Sequence, residues 1–181
     1  MAQESPITIR LESNPTYLSG VREFLQAVGD RLGFSQAACG QIALAVDEAI
    51  CNIIKHGYSK QLDQPIWIHL WPRTPEQTPG VTIVLEDLAR QVDPTTIKSR
   101  DLDEIRPGGL GVHIIREVMD QATYERREQQ GMRLTLVKRL QGEAVRSPEA
   151  SATQQCCASP GRNRPAPRCG EPDPHASRSA R

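Results

Sequence analysis

Large apolar side chains run out near residue 140, and that sets the size of any core this chain can build. From Gly142 to Arg181 the only large aliphatic or aromatic residue is Val145. A stretch so rich in Pro, Ser, Arg and Ala cannot bury enough apolar area to offset the entropy of ordering it. Residues 141–181 therefore read as a disordered tail, and residues 5–140 as one domain of ordinary size.

Charge divides at the same place. Residues 1–140 carry 16 basic and 18 acidic side chains, a net of −2, while the tail carries 6 and 4, a net of +2. The whole chain has 22 of each sign, so it lacks the basic excess that direct nucleic-acid binding needs. No apolar run reaches the length of about 18 residues that suggests a membrane span. The opening MAQESPITIR lacks the charged-then-apolar layout of a secretion signal, and a cytoplasmic location is expected.

Cys39 and Cys51 fall in the domain, and Cys156, Cys157 and Cys169 in the tail ahead of His175. Two adjacent thiols and a distant third do not match the paired spacing of zinc sites, so reduced thiols are expected there.

Periodicity orders the domain. Ile7 to Leu11 alternates as a strand. After Ser13-Asn14-Pro15, the residues Tyr17, Val21, Phe24, Leu25 and Val28 recur at helical spacing as far as a turn at Gly33. A second helix is predicted from the cap Ser35 to about His56, with Gly57 as its left-handed cap. Residues 65–71 and 81–86 read as strands flanking a turn cluster, Pro72 to Gly80. Residues 87–109 lack sustained periodicity and suggest a functional loop or lid. A third helix holds Val112, Ile115, Val118 and Met119. Residues 122–127 and 132–140 read as two strands joined across 128–131. The order βα-α-ββ-loop-α-ββ predicts an α+β two-layer sandwich, a mainly antiparallel, mixed sheet with helices on one face.

Four places carry chemistry. On the second helix, Glu48 and Asn52 stand four residues apart, about 40° from each other on the rim of the apolar face. Lys55 lies beside them. A carboxylate can accept a proton, and an amide oxygen can ligate Mg²⁺. The same pattern also fits the polar rim of an ordinary amphipathic helix. Gly108, Gly109 and Gly111, with Leu110 between them, end the irregular loop and open a helix. Such a turn lets backbone N–H groups approach an anion, though Gly-Gly also serves any tight turn. Asp87 follows an apolar strand and suits either a base amine or a turn. Thr135 stands among leucines on the last strand, where its hydroxyl can reach Asp87 across the sheet or simply favour β structure. His56 fits a cap at a helix C-terminus, His113 a solvent position, and Trp67 and Trp71 a packing role.

Taken together, Glu48-x-x-x-Asn52, Asp87, Gly109-Leu110-Gly111 and Thr135, in that order and spacing, resemble the histidine-kinase-like (Bergerat-fold) ATPases. More narrowly they resemble the bacterial anti-sigma-factor serine kinases. DEAICNIIKHGY is similar to that family's first nucleotide box, GGLGVHIIREVMD to its glycine box and GMRLTLVKRL to its last strand. The resemblance covers residues 5–140. It implies Glu48 as general base for a serine hydroxyl and Asn52 as the Mg²⁺ ligand. It implies Asp87, supported by Thr135, as the adenine contact, with Gly108, Gly109, Leu110 and Gly111 closing over the phosphates. ATP and Mg²⁺ are the implied cofactors. A STAS-type anti-anti-sigma protein and a sigma factor are the implied partners, with a homodimer compatible. A nucleotide-dependent binding module of the same fold, without catalysis, is the alternative.

One departure stands out. The family usually has glycine two residues after the aspartate, and here that residue is Ala89, followed by Arg90. If the backbone there needs a positive φ, alanine costs on the order of 1 kcal/mol; its Cβ can also crowd the adenine. Either would weaken ATP binding, whereas Arg90 can instead add a cation near the nucleotide.

Overall fold

The computed structural model describes residues 5–97 and 110–140. In chain order these form β1 (Ile7–Glu12), α1 (Leu18–Arg31), α2 (Gln36–Asn52), β2 (Pro65–Trp71), β3 (Gly80–Asp87), α3 (Leu110–Val118), β4 (Gln121–Arg126) and β5 (Met132–Arg139). The tail with its three cysteines, and Gly108 and Gly109, lie outside the described residues.

The helices start where the sequence offers caps. The Asn14 side chain accepts from the Thr16 N–H and opens a 3-10 turn, Pro15–Tyr17, that leads into α1. The Ser35 hydroxyl accepts from the Ala38 N–H at 3.2 Å and starts α2. Gly33, at φ +93°, turns the chain between them, a conformation that suits glycine. The end of α2 differs from expectation. Its α-helical hydrogen bonding stops at Asn52, and Ile53–Gly57 forms a π-helical turn. Gly57 is not left-handed; Ser59, Lys60 and Asp63 carry the positive φ angles instead.

The strands form one sheet, ordered β1-β2-β3-β5-β4, in which every ladder is antiparallel. Strand alternation sorts its two faces. Ile66, Ile68, Leu70, Ile83, Leu85, Leu134 and Leu136 are buried on the face that meets Val21 and Leu25 of α1, Ile42, Val46 and Ile50 of α2, and Ile115 of α3. The predicted two-layer α+β sandwich is the observed one. On the opposite face Trp67, His69 and Trp71 are half-buried. The Arg127 guanidinium lies 5.8 Å from the Trp67 ring centre.

The 22-residue stretch Gln36–Gly57 is long and apolar enough, by length and composition, to cross a membrane, which a search for unbroken apolar runs does not reveal. Here it is the middle helix of the layer, packed against both α1 and α3, with half of its apolar window buried. Asp47 in this helix is buried and paired with Arg22 of α1.

Candidate active site

The site grows from the C-terminal half of α2. Ile42, Val46, Ala49 and Ile50 face the sheet, so the helical repeat leaves Glu48 and Asn52 on the flank that α3 approaches. Arg22 Nε donates to Asp47 Oδ2 at 2.8 Å, which ties this turn of α2 to α1. The contact with α3 is close at one residue. A Cβ placed on Gly111 would lie 2.6 Å from Glu48 Oε2 and 3.2 Å from Asn52 Nδ2. Only a residue without a side chain lets the first turn of α3 meet both groups. Three of the candidate residues, 63 positions apart at the extremes, therefore meet at one point.

Asn52 stands at the junction of the α-helix and the π-helical turn. Such widened turns re-aim side chains and recur at functional sites. Its Nδ2 is buried with no hydrogen-bond partner. An unsatisfied buried amide costs about 1–3 kcal/mol, so the position is one that a ligand can relieve. Turning the amide over exchanges nitrogen for oxygen and offers a neutral oxygen ligand instead. Among the described residues no cluster of three His, Cys, Asp or Glu is placed to hold a metal. A Mg²⁺ ion held by Asn52 would draw its other ligands from water and phosphate, as Mg²⁺ commonly does. Cys51 is half-buried beside this turn; burial pushes its thiol up, and Lys55 partly opposes that.

A second group forms at the end of β3. Asp87 is buried, and its Oδ1 accepts from the N–H of Ala89 at 2.8 Å and of Met132 at 3.1 Å. Burial raises its carboxyl pKa above the ordinary value, and those two amides and Arg127 oppose the rise. The two groups are joined through the end of α2. The Tyr58 hydroxyl donates to the Pro65 carbonyl at 2.6 Å and accepts from the Leu88 N–H at 2.7 Å. A Cβ on Gly57 would lie 2.9 Å from the Ala89 methyl.

That last contact revises two expectations. Gly57 is required for space rather than for a left-handed cap. Ala89 is buried, and its φ is not positive. The strain expected from alanine is therefore absent, and its methyl packs over the bare Cα of Gly57. With that strain gone, the backbone argument for weakened nucleotide binding loses its basis.

Thr135 needs a correction. It lies opposite Val84 on β3 and Thr123 on β4. Asp87 lies three residues further along β3, and strand alternation turns Thr135 to the face away from Asp87. The group that reaches Asp87 from β5 is the Met132 backbone N–H. His113, expected in solvent, is half-buried in α3. Tyr58 and Met132 were missed by sequence reasoning, and Gly57 was given a different role. The signal for Met132 was Gly131 before it, at φ +87°, which lets the chain run directly against the Asp87 carbonyl.

Residues 11–138 match the family model described as a histidine kinase-like ATPase domain. A serine-protein kinase RsbW of Listeria innocua is 32% identical over 63% of this chain and 75% of its own length. The chain belongs to the anti-sigma-factor serine-kinase family. A serine-protein kinase RsbW of Staphylococcus aureus is 28% identical over 81% of this chain and 94% of its own. The fold of this family member is also similar to a crystal structure of the RsbU and RsbW domains of a Mycobacterium tuberculosis protein. The TM-score is 0.54 at 19% identity, covering 79% of this chain and 34% of that one.

Proposed function

We propose that this chain is an ATP-dependent serine protein kinase and anti-sigma regulator of the cytoplasm. Its substrate is a STAS-type anti-anti-sigma protein, and its second partner is a sigma factor that it sequesters. The observation that carries this reading is the meeting of Glu48 and Asn52 over the bare Cα of Gly111. The names of the relatives from Listeria and Staphylococcus support the chemistry.

Phosphoryl transfer depends mostly on position and charge neutralisation. Glu48 takes the proton of the attacking serine hydroxyl. Asn52 would hold Mg²⁺, and the ion, when bound with ATP, would supply neutralisation of phosphate charge. Leu110 and Gly111 open α3, whose N-terminus favours an anion through its free N–H groups and dipole. Gly108 and Gly109, which precede them in the sequence, belong to the same proposed phosphate contact. Asp87 accepts the exocyclic amine of adenine and so selects the base. Thr135 takes no part in that contact.

The test is transfer of labelled phosphate from Mg·ATP to candidate STAS proteins. Phosphoserine is expected with the wild type and not with Glu48→Ala, while both proteins bind ATP. Equal labelling by the two proteins, or none by the wild type, would overturn the assignment.

A further inference from the structure

Backbone pairing between β3 and β5 runs only as far as Glu86 opposite Arg133. The chain beyond, from Asp87 to Ala89, is nevertheless held by side chains at four backbone groups. The Asp87 carbonyl accepts from Arg127 Nη1 at 2.8 Å. The Leu88 carbonyl accepts from Gln130 Nε2 at 2.6 Å, and the Leu88 N–H donates to the Tyr58 hydroxyl at 2.7 Å. Both peptide planes that follow Asp87 are therefore held.

The holders are themselves held. Arg127 sets its other terminal nitrogen 3.5 Å from Glu86 Oε2 and its face over Trp67. Gln91 Nε2 donates back to the Arg127 carbonyl at 2.6 Å, and Arg126 Nε donates to the Val92 carbonyl at 3.0 Å. The turn between β4 and β5 is thus latched onto the segment that carries Asp87. Asp87 Oδ1 is already taken by two backbone amides. With that oxygen and the flanking peptides fixed, the direction of Oδ2 is fixed as well.

We propose that Tyr58, Arg127 and Gln130 are positioning residues that aim the Asp87 carboxylate and thereby set the preference for a base with an exocyclic amine. This rests on the reading of Asp87 as the adenine contact. The physical reason is directional: a hydrogen bond weakens steeply as it bends away from its axis. A carboxylate allowed to swing would still bind nucleotide through the phosphates, but would read the base poorly.

The experiment is equilibrium binding of ATP and of inosine triphosphate, which lacks that amine, to the full chain with Mg²⁺. The proteins are the wild type, Asp87→Asn, Tyr58→Phe, Arg127→Ala and Gln130→Glu. The wild type is expected to prefer ATP by on the order of tenfold, the size of one hydrogen bond to a charged acceptor. Asp87→Asn is expected to lose that preference, because its amide can donate to the inosine carbonyl. The three positioning variants are expected to lose most of it while still binding inosine triphosphate as the wild type does. Gln130→Glu alters an exposed turn residue, so it reports on aim even where Arg127→Ala fails to fold.

If the variants weaken both nucleotides equally, or keep the full preference while Asp87→Asn loses it, the positioning role is wrong and the Asp87 reading stands. If the wild type itself does not distinguish the two nucleotides, the Asp87 reading falls, and this inference falls with it.

Discussion

The two ends of the candidate site are built in opposite ways. At the Asp87 end, carbonyls, amides and one carboxylate oxygen all have partners, and two glycine-mediated contacts close the packing. At the Glu48 end, a carboxylate and an amide stand against a bare backbone, and the amide nitrogen is buried without a partner. A surface that reads a rigid base gains from being finished before the ligand arrives. A surface that handles phosphate and metal gains from leaving polar groups for the ligand to satisfy.

The sharpest way to break the finished end is Gly131→Ala. The added methyl would run into the Asp87 carbonyl, at a residue with φ +87°. Left-handed strain and overlap together should cost on the order of 3 kcal/mol, read as a fall in unfolding free energy by urea denaturation. The matching change at the open end is Gly111→Ala. There the new methyl meets the tip of the Glu48 side chain, which can swing aside. Stability should hold while phosphate transfer falls by on the order of a hundredfold, measured as turnover at saturating ATP.

The Gly57–Ala89 contact gives a smaller and reciprocal effect. Gly57→Ala alone should cost about 2 kcal/mol, because two methyl carbons would meet at 2.9 Å. Ala89→Gly alone should cost about 1 kcal/mol from lost burial and added chain freedom and should leave ATP affinity nearly unchanged. The double variant should recover much of the loss, and an additive cycle would show that the two residues do not touch.

The smallest effect is on pH. The native state holds the Asp87 proton more tightly than the unfolded chain, because burial raises the carboxyl pKa. Its contribution is complete below the ordinary Asp value and is lost as pH rises through the raised one. Relative to Asp87→Asn, the wild type should therefore lose stability on going up through the acidic range, seen by denaturation at stepped pH. A wild type that gains stability over that range relative to the variant would mean that burial does not raise the Asp87 carboxyl pKa.

How much the sequence revealed depended on which spacing carried the information. Glu48 and Asn52 were legible because a helix repeats locally and their offset fixes a common flank. The three helices and the five strands followed from periodicity and from caps such as Ser35. Thr135 was misjudged although the alternation Leu134-Thr135-Leu136 already turns it away from the leucines. Only the register against Val84 made the distance to Asp87 plain. β3 added to this, since Val81, Thr82 and Ile83 are buried in succession and blur its alternation. Gly57 was read as a cap because a glycine ends the helix there. Its reason is Ala89, 32 residues away, and no local pattern can show that. Arg127 and Gln130 sat in an exposed-looking turn, where composition alone suggests only solubility.

The most direct measurement of the contrast between the two ends is ATP affinity with and without Mg²⁺, in the wild type and in Asn52→Ala. Mg²⁺ is expected to tighten ATP binding to the wild type by on the order of tenfold, and to leave Asn52→Ala, which binds Mg²⁺-free ATP normally, almost unmoved. An equal Mg²⁺ effect in both proteins would contradict the assignment of the open end to phosphate and metal.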